Sequence, residues 1–215
     1  MNRAPADYHA WYGTPRGAWM ADQERRLILD LLALPPGERV LDVGCGTGYF
    51  SSALADAGLG VTGLDTDMAA LDFLARRDGR SLLIKGQAAT LPFANGAFAG
   101  VVAITSLCFC TNPMLVLSEM WRVSQRVVVL GLLHRHSLLY LTKGGRGGYA
   151  GARWDTLEEV RAWAHELTPA PDILARCALL LPTAGPVARG IEQRFGKLLP
   201  IGGFLAVALR RPSGA

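Results

Sequence analysis

Apolar and polar positions along this chain fall into blocks whose period changes from helical to strand-like and back. Over residues 15–33 the apolar positions Trp19, Leu27, Leu31 and Leu32, with Pro15 near the start, predict a helix. Pro35-Pro36-Gly37 breaks it. Short apolar runs then take turns with helical segments. Strands are predicted at about 38–43, 60–65, 81–85, 98–105 and 126–132, and helices at about 48–57, 67–77 and 113–123. The run from Arg126 to Leu132 is almost continuously apolar, as a strand covered on both faces requires. This alternation predicts an α/β fold with a doubly wound, mostly parallel sheet.

The rhythm is different at both ends. Residues 1–14 read as irregular and aromatic-rich, with Tyr8, His9, Trp11 and Tyr12. After the fifth strand comes a glycine loop at 144–151 flanked by Lys143 and containing Arg146. Asp155 is expected to cap a helix that runs to about Leu167. An apolar run at about 173–181, a short helix at about 186–197 and a last run from Gly203 to Leu209 predict two more strands joined by an inserted helix. That makes seven strands in one domain spanning 1–215.

Half of the residues are hydrophobic and 19% are charged, so a packed globule is expected. The formal charge of +4 comes without any long block of like charge, so no nucleic-acid partner is expected. No run of 18 apolar residues predicts a membrane span, and Met1 to His9 carries no signal-peptide core. The four cysteines (Cys45, Cys108, Cys110, Cys177) lack zinc spacing, so no metal site is expected and a reducing cytoplasm fits best. Cys108 and Cys110 read as small apolar packing groups.

The chemistry gathers at Val40-Leu41-Asp42-Val43-Gly44-Cys45-Gly46-Thr47-Gly48. An apolar strand ends in an acid, and three glycines follow at every second position. Glycine tolerates positive φ and lets a ligand approach the backbone. The loop's N–H groups and the next helix N-terminus are placed to receive an anion, and Asp42 to accept from an ammonium. Asp65 closes the second strand about 20 residues later, where a carboxylate can accept both hydroxyls of a ribose. By itself Asp65 indicates a ribosyl ligand without choosing among nucleotide cofactors.

With these residues, Gly86-Gln87-Ala88-Ala89-Thr90-Leu91-Pro92-Phe93 and the following Phe98 complete a pattern. It resembles the class I S-adenosylmethionine (SAM) methyltransferases, in their methyltransferase type 11 branch. Gly63-Leu64-Asp65 and Glu119-Met120-Trp121-Arg122-Val123 extend the resemblance over roughly 38–132. Two family acids are replaced here, by Gln87 and Ala99. The resemblance implies a Rossmann-like sheet of seven strands with an antiparallel C-terminal strand. It implies SAM as cofactor, held by Asp42, Gly44, Cys45, Gly46, Gly48, Asp65, Thr66, Gln87, Ala88, Thr105 and Tyr12.

It further implies a core at 38–132, a cover from the aromatic segment and helix of 1–35, and an acceptor side at 133–215. The reaction expected is methyl transfer to a small, apolar or aromatic molecule by a monomer or homodimer. His134 and His9 are the candidate general bases. The loop at 144–151 is a candidate lid, with Arg146 or Arg153 placed to meet an acidic acceptor group. Two other readings remain open: a catalytically inactive SAM-binding regulator, and a methyltransferase of RNA or protein. The Asn/Asp-Pro-Pro-Tyr/Phe tetrapeptide common in nucleic-acid amine methylation does not occur after the fourth strand.

Overall fold

The computed structural model describes residues 4–181, 183, 185–196 and 199–212. Residues 1–3 of the aromatic lead-in and Lys197, the expected end of the last helix, lie outside the described residues. In chain order the elements are α1 (Pro5–Ala10), α2 (Pro15–Leu32), β1 (Arg39–Val43), α3 (Tyr49–Asp56), β2 (Gly60–Asp65), α4 (Met68–Arg77), β3 (Leu82–Lys85) and β4 (Phe98–Ile104). They continue with α5 (Pro113–Val123), β5 (Ser124–Leu133), α6 (Leu138–Lys143), α7 (Leu157–His165), β6 (Asp172–Ala178), α8 (Pro186–Phe195) and β7 (Phe204–Arg210).

The seven strands form one sheet in the order β3-β2-β1-β4-β5-β7-β6. β1 to β5 pair in parallel, and β7 runs against both of its neighbours, β5 and β6. The seven-stranded sheet with an antiparallel C-terminal strand is therefore present. Side chains alternate across a strand, so one sequence supplies two cores. Val128, Leu130 and Leu132 of β5 join Leu205 and Val207 of β7 under Met120 and Trp121 of α5. Val127 and Val129 join Phe204, Ala206 and Ala208 under Met20, Ile28 and Leu31 of α2. At Gly131 an added Cβ would lie 2.6 Å from the Phe204 ring, so glycine is what lets that ring close the second core.

Three local expectations change. The first 14 residues hold the six-residue helix α1, and α6 is a second short helix that the loop reading passed over. Neither spans two full turns of apolar repeat, so neither has a periodicity to detect. Asp155 is not the cap of α7. Thr156 is, in a capping box: its Oγ accepts from the Glu159 N–H, and the Glu159 carboxylate accepts from the Thr156 N–H. Asp155, one residue earlier, is fully buried and extends the β5 edge, with its N–H donating to the Leu133 carbonyl. Thr156 wins because the residue three places on is the glutamate that closes the box.

Candidate active site

β2 and β3 lie to one side of β1, while β4 and β5 lie to the other, so the chain reverses direction of winding between β1 and β4. Loops leaving the carboxyl ends of these two strands diverge and open a crevice. The cavity there measures about 780 Å³. That is the size of a cleft for a small organic ligand. Of the expected site residues, Asp42, Gly44, Cys45, Gly46, Asp65, Thr66, Gln87, Ala88, Thr105 and Tyr12 all line it.

Gly48 does not. An added Cβ there would meet the Leu74 methyls at 2.2 and 2.5 Å, at φ +76°. Its glycine serves the packing of the helix start against α4. Gly44 is required by a close approach of a different kind: its Cβ would fall 2.4 Å from Ser106 Cβ. Ser106 Oγ in turn donates to the Val43 carbonyl at 2.7 Å, tying the ends of β1 and β4 together across the crevice floor. The neighbouring Thr105 has φ +50°, an unusual conformation for a β-branched residue.

The glycine loop's amides are arranged differently from the expected anion cradle. The N–H groups of Gly44 and Cys45 both donate to the Leu64 carbonyl, at 2.7 and 3.1 Å, and the Gly46 N–H donates to Asp65 Oδ2 at 2.7 Å. β1 pairs with β2 as far as Val43 and Leu64, and these amides prolong that pairing past the strand end. They hold the loop to β2, and the carboxylates of Asp42 and Asp65 line the crevice among other polar groups such as Gln87, Thr105 and Asn112.

Asp42 is 2% exposed, and Ser51 Oγ donates to its Oδ2 at 2.6 Å. Burial pushes the Asp42 carboxyl up to about 6, the Asp65 charge adds to this, and the Ser51 bond opposes it. Asp65 is half-buried; besides the Gly46 N–H it accepts from the Asp67 N–H, at its Oδ1, at 2.9 Å. A carboxylate has about four acceptor positions, so roughly two remain for ligand hydroxyls. Asp67 caps α4, accepting from the N–H groups of Ala69 and Ala70.

Tyr8, Tyr12 and Tyr49 roof the cavity. Tyr12 stacks on Tyr49 at 4.0 Å, and its hydroxyl lies 3.3 Å from that of Tyr8. Opposite them stand Leu107, Phe109, Cys110 and Asn112 of the loop after β4. Burial pushes the Cys108 thiol up to about 12, and it raises Cys45 further still, so neither is a ready nucleophile. Among the described residues no group of three or more metal-ligating side chains gathers.

Neither candidate base reaches the crevice lining. His134 is 3% exposed, and its Nδ1 lies 3.0 Å from the Gly202 carbonyl, an acceptor that requires the proton on that nitrogen. Its place is at the end of β5, beside the β7 entry. His9 lies over the glycine loop, its Nδ1 3.2 Å from Thr47 Oγ1 and its ring 5.3 Å from that of Phe73. Burial, reinforced by Arg77, lowers the His9 pKa.

Arg153 is not free for an acceptor. Its guanidinium donates to Asp155 and to the carbonyls of Leu107 and Cys110. Ala150 of the 144–151 loop does line the cavity. Of the tyrosines in the lining, the sequence pattern outlined Tyr8 and Tyr12 only as aromatic positions near the N-terminus and did not mark Tyr49.

Comparison with known proteins agrees with this geometry. The profile of the family described as "Methyltransferase domain" matches residues 41–128. The demethylmenaquinone methyltransferase of Renibacterium salmoninarum is 42% identical over 101 residues, which is 47% of this chain and 43% of that protein. The chain thus spans less than half the length of that relative. An uncharacterized protein of Mycobacterium bovis is 31% identical over 214 residues, covering 96% of this chain and 72% of its own. The crystal structure of the Synechocystis magnesium protoporphyrin IX methyltransferase with bound S-adenosylhomocysteine (SAH) superposes with a TM-score of 0.70 at 17% identity, covering 95% of this chain and 93% of the other. With the Asp42–Gly44–Asp65 turn, the β3-β2-β1-β4-β5-β7-β6 sheet and these relatives together, the chain belongs to the class I SAM-dependent methyltransferases.

Proposed function

We propose that this chain transfers the methyl group of SAM to a small, apolar or aromatic acceptor held between the tyrosine roof and the loop after β4. The observation that carries this reading is the pair of carboxylates, Asp42 and Asp65, facing one cavity whose far side is aromatic and apolar. The donor set fits the cofactor: Asp65 keeps acceptor capacity for a ribose diol, Asp42 suits an ammonium, and a Cβ at Gly46 would stand in open space. When bound, SAM supplies an electrophilic methyl group on a sulfonium centre. The chain's own residues orient and enclose. Gly44 and Ser106 bring the floor close, Gln87 stands where an amide oxygen can accept from an adenine amino group, and the tyrosines exclude water from the acceptor end.

The loop at 144–151 closes over the acceptor in this reading, since Ala150 reaches the cavity. SAM together with a bound acceptor is expected to protect the 143–153 segment from limited proteolysis; unchanged cleavage would remove the lid. A soluble enzyme in a reducing cytoplasm suits the four free cysteines.

Asp42 gives the reading a pH signature. Its folded pKa of about 6 lies above the unfolded value, so its ionisation costs stability in the free protein as pH rises from about 4 through 6. An ammonium partner favours the ionised form, so SAM affinity is expected to fall as pH drops through 6, by about tenfold between pH 7.5 and 5. Asp42→Asn should bind more weakly at pH 7.5 and lose this dependence. Calorimetric titration across that range checks it, and parallel pH profiles of the two proteins would refute it.

Activity itself is tested by incubating the protein with SAM and a panel of catechol, 4-methylphenol, benzylamine and the aprotic thioanisole, reading release of SAH. Release with one or more acceptors supports the proposal. Tight SAM binding with no release would favour the regulatory reading.

A further inference from the structure

The sheet ends at β6, which pairs with β7 on one side only. Alternate N–H and C=O groups of such a strand point away from the sheet, and natural edges are shielded by shortness, lysine, proline or a bulge. The other edge, β3, is four residues long and ends in Lys85. β6 runs for seven residues in unbroken register with β7 and holds neither lysine nor proline. Its first five residues are open: Asp172, Ile173, Leu174 and Arg176 are exposed and Ala175 partly so, whereas Cys177 and Ala178 are buried. Among the described residues, the backbone of 172–176 makes no hydrogen bond outside its pairing with β7.

The order of side chains on this open stretch is self-complementary. Asp172, Leu174 and Arg176 share the face of Ala178, and Ile173 and Ala175 share the face of Cys177. Ile173 and Leu174 are 38% and 42% exposed, one on each face. Among the described residues, neither Asp172 nor Arg176 has an ionic partner. The residue opposite Asp172 on β7 is Arg210, but its guanidinium donates to the Leu31 carbonyl at 2.6 Å. Acid, leucine and arginine thus stand in a row, with the leucine at the midpoint of the open stretch.

We propose that the β6 edge docks a second copy of this chain, strand against strand and antiparallel, about a two-fold axis at Leu174. The two sheets then continue into one. In this register Asp172 of each copy faces Arg176 of the other, so both charges gain a partner twice over, and Leu174 packs on its own symmetry mate. On the other face Ile173 meets Ala175. The backbone groups pointing outward from 172–176 are paired by about four to six hydrogen bonds, whichever alternate set faces out. The register is specific. A shift by two residues, the smallest that keeps each side chain on its own face, sets Asp172 opposite Leu174 or Ala178 and loses both ion pairs. An interface of one short strand pair is small, so the dimer dissociates in the micromolar range.

Sedimentation velocity over a concentration series tests this. Wild type should pass from one to twice the mass of a chain as the concentration rises through the micromolar range. Arg176→Asp and Asp172→Arg each turn both attractive pairs repulsive, and each should raise the dissociation constant on the order of tenfold or more. Combining the two substitutions in one chain restores the pairs and should restore the dimer. A one-to-one mixture of the two single variants should also dimerise, since two carboxylates then face two guanidinium groups. Amides within 172–176 should exchange with solvent more slowly in concentrated than in dilute wild-type protein. None of these residues lines the crevice, so SAM affinity should be the same in every variant, which checks that the fold is retained. A wild type that stays monomeric across the series overturns the proposal. So does a dimer that both single variants leave intact, or a charge swap that fails to restore it.

Discussion

Replacing Asp65 by alanine is expected to weaken SAM binding on the order of 10²–10³-fold, from two charge-assisted hydrogen bonds at roughly 1.5–3 kcal/mol each with allowance for water filling the gap. The same carboxylate also accepts from the N–H groups of Gly46 and Asp67, so its loss frees the glycine turn as well as the ribose. Asp65→Asn separates the two effects. An amide keeps an oxygen acceptor but carries no charge, and it is expected to fall between wild type and alanine. Calorimetry with SAM measures the affinity, and circular dichroism of the free variants checks that the sheet is intact. Affinity within threefold of wild type for Asp65→Ala would mean that another group holds the ribose.

Arg153→Ala is expected to destabilise the fold by about 3–5 kcal/mol, because it strands a buried charge. Asp155 is fully buried and receives Arg153 Nε at 2.6 Å. The same guanidinium holds the Leu107 and Cys110 carbonyls at 3.1 and 2.9 Å and lies 5.3 Å from the centre of the Trp163 ring. Losing it should lower the melting temperature by roughly 10 °C in a chain of this size. It should also loosen the wall that faces the tyrosines. Asp155→Asn added to Arg153→Ala should recover part of the loss, since no unpaired buried charge then remains. A single variant that melts within 2 °C of wild type, or a double that is no better than the single, would contradict the account; the 2 °C bound corresponds to about 0.5–1 kcal/mol.

The two predictions differ in how far their residues could be read in advance. Asp65 announces itself: it ends an apolar strand at a fixed distance from a glycine turn, and both features are local. Arg153 reads in sequence as one more cation beside a glycine loop, available to an acidic acceptor. Its partners include Leu107 and Cys110, more than 40 residues away, and only the folded chain shows that its donors are already used. His134 fails for the same reason. Its position past a strand end suits a base, but the Gly202 carbonyl that holds it lies 68 residues on.

The sequence by itself determined the strand and helix alternation, the seven strands, the turn after β1 and the two carboxylates at strand ends. Each follows from periodicity or from a conformation that few residues can adopt, and such constraints act within a few positions of the chain. The tertiary structure decided which polar groups remain for a ligand. It turned the amides of Gly44, Cys45 and Gly46 toward β2, assigned Gly48 to packing, withdrew His134 and Arg153, and set three tyrosines along the crevice. A hydrogen-bonding group is available only when no closer partner has taken it, and those partners are set by contacts across distant parts of the chain.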